Sequence, residues 1–184
     1  MDPAAFAHKP VLTGERLQLS VATEEHLQDY LQMLNDPEAR ALTGTHRSFT
    51  PDEIERWLRS RAAQVDRLDL VAARLSDGAF IGEAVVNEYD ADNESASYRI
   101  ALSGPGVFGQ GYGTEMTRLV VDYVFDQVGL HRLSLEVFEH NPRAQRVYEK
   151  CGFQVEGRLR QALRWDGRRY DGIVMSIVRG DRRP

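Results

Sequence analysis

The chain has 184 residues and a formal net charge of −5, with one cysteine and five histidines. That length buries a full core as one domain, here residues 1–184 with its core at about 15–178, without disulfide staples. No apolar run is long enough to span a bilayer, Met1-Asp2-Pro3 does not open a secretory signal, and the histidines show no metal-ligand spacing with Cys151. A cytoplasmic protein without a metal, acting as monomer or homodimer and without membrane or nucleic-acid partners, is the default expectation. The arginines of the C-terminal quarter, Arg158, Arg160, Arg164, Arg168, Arg169, Arg179, Arg182 and Arg183, read as a solvated face and not as a nucleic-acid surface.

In chain order, Leu17, Leu19 and Val21 alternate as a first strand, and Thr23 caps a helix carrying Leu27, Tyr30, Leu31 and Leu34 on one face, which Pro37 ends. Thr50-Pro51-Asp52-Glu53 is a capping box with proline at the first helical position, leading into Ile54, Trp57, Leu58 and Val65. An antiparallel meander follows: Leu70 to Leu75, a Ser76-Asp77-Gly78 turn, Ala79 to Glu88, an acidic loop, and Ser95 to Leu102. Met116, Leu119, Val120, Tyr123 and Val124 mark the next helix, and Gly129 stops it. Leu133, Leu135 and Val137 then form a strand that the crossover helix makes parallel to the one before it. Asn141-Pro142 opens a helix bearing Ala144, Val147, Tyr148 and Cys151, Gly152 closes it, and a hairpin of Phe153–Arg164 and Tyr170–Val178 turns near Asp166-Gly167.

Between the third meander strand and the following helix lies Phe108-Gly109-Gln110-Gly111-Tyr112-Gly113-Thr114. Glycines let a ligand approach the backbone closely, and the unpaired amides of the first helical turn favour an anion there, which reads as a pyrophosphate cradle. No Lys-Ser/Thr pair follows the last glycine and Thr114 stands where a dinucleotide loop needs its third glycine, so neither nucleotide motif fits. An ordinary glycine-rich turn is the competing reading.

Strand, glycine loop, helix, strand and then Asn141-Pro142-Arg143-Ala144-Gln145-Arg146-Val147-Tyr148-Glu149-Lys150-Cys151-Gly152-Phe153 resembles the GNAT superfamily of acetyl-CoA-dependent N-acetyltransferases. The resemblance runs from Glu15-Arg16-Leu17 to Met175-Ser176-Ile177 and is closest to the branch that acetylates N-termini of ribosomal proteins. It implies an α/β (α+β) fold: a mixed, mostly antiparallel six- to seven-stranded sheet with helices on both faces. It also implies a splay of two parallel strands, where the acyl-pantetheine arm pairs with backbone at Ile100, Ala101 and Leu102. The pyrophosphate would sit on residues Phe108 to Thr114, with Asn141 and Arg143 on the coenzyme's side. The family's loop usually begins with Gln or Arg where this chain has Phe108.

For chemistry, the resemblance makes Tyr148 the acid for the departing thiolate, although its apolar stripe reads equally as core. Glu136, offset from Leu135 and Val137, resembles the glutamate that deprotonates the acceptor in some N-terminal acetyltransferases; Glu83, beside Gly82, is the second candidate. Each reads otherwise as an ordinary carboxylate. Asn141 is a helix cap as well as a coenzyme contact, and Cys151 is a buried helix-end residue and not a nucleophile. The expected acceptor is a primary amine, first a peptide N-terminus, with polyamines or small amines such as antibiotics next. A non-catalytic acyl-CoA-binding module is the remaining alternative.

Overall fold

The computed structural model describes residue 2 and residues 4–182, so Met1, Pro3, Arg183 and Pro184 lie outside the described residues. One eight-stranded sheet runs in the order β1-β2-β3-β4-β5-β6-β8-β7. Its strands are β1 (Leu12–Thr13), β2 (Leu17–Val21), β3 (Leu68–Arg74), β4 (Phe80–Asp90), β5 (Ser95–Leu102), β6 (Arg132–Phe138), β7 (Gln154–Trp165) and β8 (Arg168–Val178). Every neighbouring pair is antiparallel except β5 and β6. The sheet therefore exceeds the expected six to seven strands. The added one, β1, is two residues long and too short to show alternation.

The helices are α1 (Leu27–Asn35), α2 (Pro37–Thr43), α3 (Pro51–Arg61), α4 (Tyr112–Tyr123) and α5 (Pro142–Lys150). Pro37 does more than end α1. Asp36 accepts a hydrogen bond from the Ala39 amide (2.7 Å) and Pro37 occupies the first helical position, so the same Asp-Pro pair starts α2. The capping box at Thr50 and Glu53 forms as expected, but α3 stops at Arg61 and leaves Val65 exposed beyond it. Thr23 opens a short 3-10 turn over Glu24–His26 that leads into α1. A π-helical turn over Val124–Val128 continues α4 until Gly129, at φ 91°, ends it.

The sheet separates two apolar layers. On one face Tyr98, Leu133, Leu135 and Met175 pack against Met116, Val120 and Val124 of the α4 segment and Tyr148 of α5. On the other, Val71 and Ala101 meet Tyr30 and Met33 of α1 and Ile54 and Leu58 of α3. Alternation along each strand assigns residues to these faces, so Leu135 and Glu136 point to opposite sides. Asp69, fully buried, holds α3 to β3 by accepting from Arg61 (3.2 Å) and Arg67 (2.6 Å). Gly82 sits at an irregularity in the β3–β4 register with φ 152°; a Cβ there would lie 2.1 Å from the carbonyl oxygen of Ala101. Only glycine permits that approach of β4 to β5.

Candidate active site

The parallel pair β5–β6 is joined over only Ser95–Ser97 and Arg132–Ser134, after which the strands diverge. Into the gap opens a cavity of about 280 Å³. Its lining includes Ile100, Ala101 and Leu102 from β5, then Phe108, Gly109, Gly111, Tyr112, Gly113 and Thr114 from the glycine loop, and Asn141 and Arg143 from the start of α5. Of the expected coenzyme residues only Gln110 is off the wall, its side-chain amide donating to the Gly106 carbonyl (2.6 Å). Ala39, Leu42 and Thr43 of α2 also line the cavity; sequence reading missed them because it read Pro37 only as a stop.

The loop is a cradle for an anion by its own hydrogen bonding. Gly109 and Gly111 adopt φ of 73° and 85°, and Gly111 begins α4 without a side-chain cap. The Thr114 and Glu115 amides donate to the Gly111 carbonyl, whereas those of residues 109 to 113 have no hydrogen-bond partner among the described residues. Such amides at the positive end of a helix fit a pyrophosphate. Gly113 serves packing, since a Cβ there would come within 3.2 Å of Ile100 Cδ1. Arg16 braces the loop, donating to the Gln110 carbonyl (2.8 Å) and to the Glu115 carboxylate (2.9 Å).

Phe108 is accommodated by a neighbour. The Arg143 guanidinium lies 4.6 Å from the centre of its ring and pairs with Glu38 of α2 at 2.5 Å. A guanidinium thus stands beside the loop although the loop's own first residue is aromatic. Asn141 caps α5, its side-chain oxygen accepting from the Ala144 amide (3.1 Å).

Tyr148 is buried, its ring 5.7 Å from Phe153 and 6.3 Å from Tyr98. Burial pushes its phenol well above the ordinary range, with the Ile100 backbone and the Arg99 charge working against it. The ring belongs to the core while the hydroxyl is beside Ile100 in the splay. Cys151 is half-buried at the end of α5, its thiol pushed up to about 11 by burial, which suits an inert side chain.

The two carboxylates face away from this core. Glu83 is buried on β4 and accepts from Arg99 at 2.6 Å. Glu136 is exposed and carries no hydrogen bond or ion pair among the described residues; its carboxylate lies where a Cβ of Gly172 would be, 2.0 Å from Oε1. Glu83 and Arg99 line a second cavity, of about 620 Å³, with Tyr30, Phe49 and Trp57. Consecutive β5 residues, Arg99 and Ile100, therefore border the two cavities. Of the C-terminal arginines, Arg158 pairs with Glu139 and Asp171, Arg182 with Asp122 and Asp126, and Arg179 donates to backbone carbonyls. Among the described residues no group of acidic, histidine or cysteine side chains has metal-site geometry, and no helix is long and apolar enough to cross a membrane.

A splayed parallel pair, an amide cradle at a helix start and a cavity joining them define an acyl-coenzyme A-dependent transferase. The sequence profile described as the Acetyltransferase (GNAT) domain matches residues 16–154. The chain belongs to the GNAT family of N-acetyltransferases, which use acetyl-CoA. It is 33% identical over 101 residues to a spermidine N(1)-acetyltransferase of Escherichia coli, covering 55% of this chain and 54% of that one. It is 27% identical over 170 residues to a putative ribosomal N-acetyltransferase of Bacillus subtilis, covering 90% and 86%. The crystal structure of a spermidine N-acetyltransferase from Vibrio cholerae in complex with CoA and spermine shares the fold, with a TM-score of 0.82, 24% identity and coverage of 90% and 96%.

Proposed function

We propose that this N-acetyltransferase moves the acetyl group directly to the α-amine of a peptide. The observation that carries the proposal is that consecutive residues of β5 at the splay, Arg99 and Ile100, border cavities on opposite faces of the sheet, with the Tyr148 hydroxyl near the Ile100 backbone. The smaller cavity takes the acyl-pantetheine arm along residues 100–102 and the larger one takes the acceptor. A peptide amine is largely protonated at neutral pH, so it must lose a proton before it can attack. Glu136, whose side chain is exposed and unpaired but lines neither cavity, is the first candidate base; Glu83, which lines the acceptor cavity but is engaged by Arg99, is the second. The acceptor nitrogen then bonds to the thioester carbon, the carbon–sulfur bond breaks, and Tyr148 gives its proton to the departing sulfur. A raised phenol keeps that proton at neutral pH and so stands ready as a hydrogen-bond donor to the sulfur as negative charge develops there.

Similarity to a spermidine N(1)-acetyltransferase supports a second reading, a polyamine acceptor. Thiol release measured with a panel of short peptides and with spermidine separates the two. Higher kcat/KM for at least one unblocked peptide is expected; turnover of spermidine with none of any peptide would falsify the peptide reading.

A further inference from the structure

The larger cavity has a charge pattern that bears on its ligand. Four guanidinium groups, of Arg47, Arg56, Arg67 and Arg99, line it against the carboxylates of Glu53 and Glu83. Each carboxylate is already engaged: Glu53 by Arg47 at 2.6 Å and Glu83 by Arg99 at 2.6 Å. The aromatic faces that could stack on a cation are engaged too, with Arg47 4.9 Å from the centre of the Phe49 ring and Arg61 4.7 Å from that of Trp57. A cationic ligand would have to displace one of the protein's own guanidinium groups from a carboxylate or a ring, and would face the others as like charges.

What remains without a partner is positive or a donor. The Arg56 side chain makes no hydrogen bond, ion pair or ring contact among the described residues, and Arg67 is spent on Asp69 (2.6 Å). Arg99 donates to Glu83 from Nη1 alone, with its side chain 49% exposed toward the cavity. Tyr30, 2% exposed, lines the same cavity, but its buried hydroxyl lies against the Glu83 carboxylate; burial and that charge push the phenol up, so the hydroxyl is not free. Planar guanidinium forks are the groups that receive a carboxylate.

Taking the larger cavity as the acceptor site, as the peptide reading does, we infer that the acceptor carries a carboxylate close to its reactive amine, received by Arg56 and Arg99. The carboxylate comes from an acidic side chain near a peptide N-terminus or from the free carboxylate of a small amino acid, and the test separates these sources.

Thiol release is measured for pentapeptides identical except for Glu, Ala or Lys at the second residue, for free amino acids with blocked and unblocked carboxylates, and for spermidine. Binding of the same compounds is followed in parallel by fluorescence of Trp57, which lines the cavity, so compounds that do not turn over still report their preference. The Glu peptide is expected to exceed the Lys peptide by about tenfold in kcat/KM or affinity, with the difference shrinking at high salt. In Arg56→Glu the ratio is expected to invert; Arg56 is exposed on α3, and a thermal melt verifies that the variant is folded. Equal use of Glu and Lys peptides, a preference for Lys or spermidine, or a ratio that Arg56→Glu leaves unchanged overturns the inference. Equal turnover of Glu, Ala and Lys peptides leaves the peptide reading intact. Preference for unblocked amino acids with no peptide turnover retains the carboxylate and removes the peptide.

Discussion

Gly172→Ala tests the base without touching it. A Cβ at this position would lie 2.0 Å from Glu136 Oε1, 2.8 Å from Cδ and 3.2 Å from Cγ, and the first two distances forbid the present side-chain position. The residue has no positive φ, so alanine is compatible with the backbone itself. Glu136 is an exposed side chain and yields by changing rotamer, at about 0.5–1.5 kcal/mol. The lost conformational freedom of the unfolded chain returns about 0.4–1 kcal/mol, so the two effects nearly cancel and global stability hardly moves. A displaced general base, in contrast, lowers kcat by about 10²–10⁴. Urea unfolding and steady-state thiol release measured together are expected to show an unchanged midpoint with kcat reduced as far as in Glu136→Gln. If Gly172→Ala keeps full turnover while Glu136 is shown to have moved, Glu136 is not the base and the role passes to Glu83.

Four further predictions follow from geometry already described. Tyr148→Phe is expected to lower kcat by about 10² while leaving the dissociation constant for CoA unchanged; unaltered turnover removes Tyr148 as the acid. Gly82→Ala drives a Cβ into the Ala101 carbonyl at 2.1 Å, backbone that cannot rotate aside, so thermal melting is expected to fall sharply and CoA binding with it. Arg143→Ala is expected to weaken CoA binding by about tenfold, one exposed guanidinium–phosphate contact, and isothermal titration with no change excludes that contact. Finally, Tyr30, Tyr98 and Tyr148 are all raised above their ordinary 10.0, chiefly by burial, and Cys151 rises from 9.0 to about 11. Between those values the unfolded chain has released protons that the native state retains. Their stabilisation is therefore complete below pH 9.0 and declines as pH rises through about 11, while Lys9, lowered by burial, works in the opposite direction. Urea midpoints that stay level from about pH 8 to 11 contradict this assignment.

Local chemistry was legible wherever it is written in neighbouring residues. The Thr50–Glu53 capping box, the Asn141-Pro142 helix start and the stop at Gly129 all depend on residues within a few positions of one another, and each formed as expected. The glycine loop was legible for the same reason. Asp36-Pro37 misled because helix end and helix start use the same residues, and α2, hidden by that ambiguity, supplies a wall of the cavity. What could not be read is pairing at a distance. That Arg99 occupies Glu83, that Arg143 meets both Phe108 and Glu38, and that Gly172 makes room for Glu136 all follow from strand register and helix placement. Those pairings distinguish an engaged carboxylate, Glu83, from a free one, Glu136, a difference that sequence alone does not show.

Three rungs, Ser95–Ser97 against Arg132–Ser134, join a five-stranded N-terminal block of the sheet to a three-stranded C-terminal block. Beyond them the facing edges are seams, held by side chains such as Tyr98, Leu133 and Tyr148 and not by a backbone ladder. Anything that bridges the seam therefore acts as mortar. A donor lying along residues 100–102, as proposed, would lend the sheet the cross-links its own chain omits, and by mass action would raise the stability of the whole by about 2.7 kcal/mol at a hundredfold excess over its dissociation constant. Amide exchange without the donor is therefore expected to be fastest along this seam, and to slow there first when the donor is added.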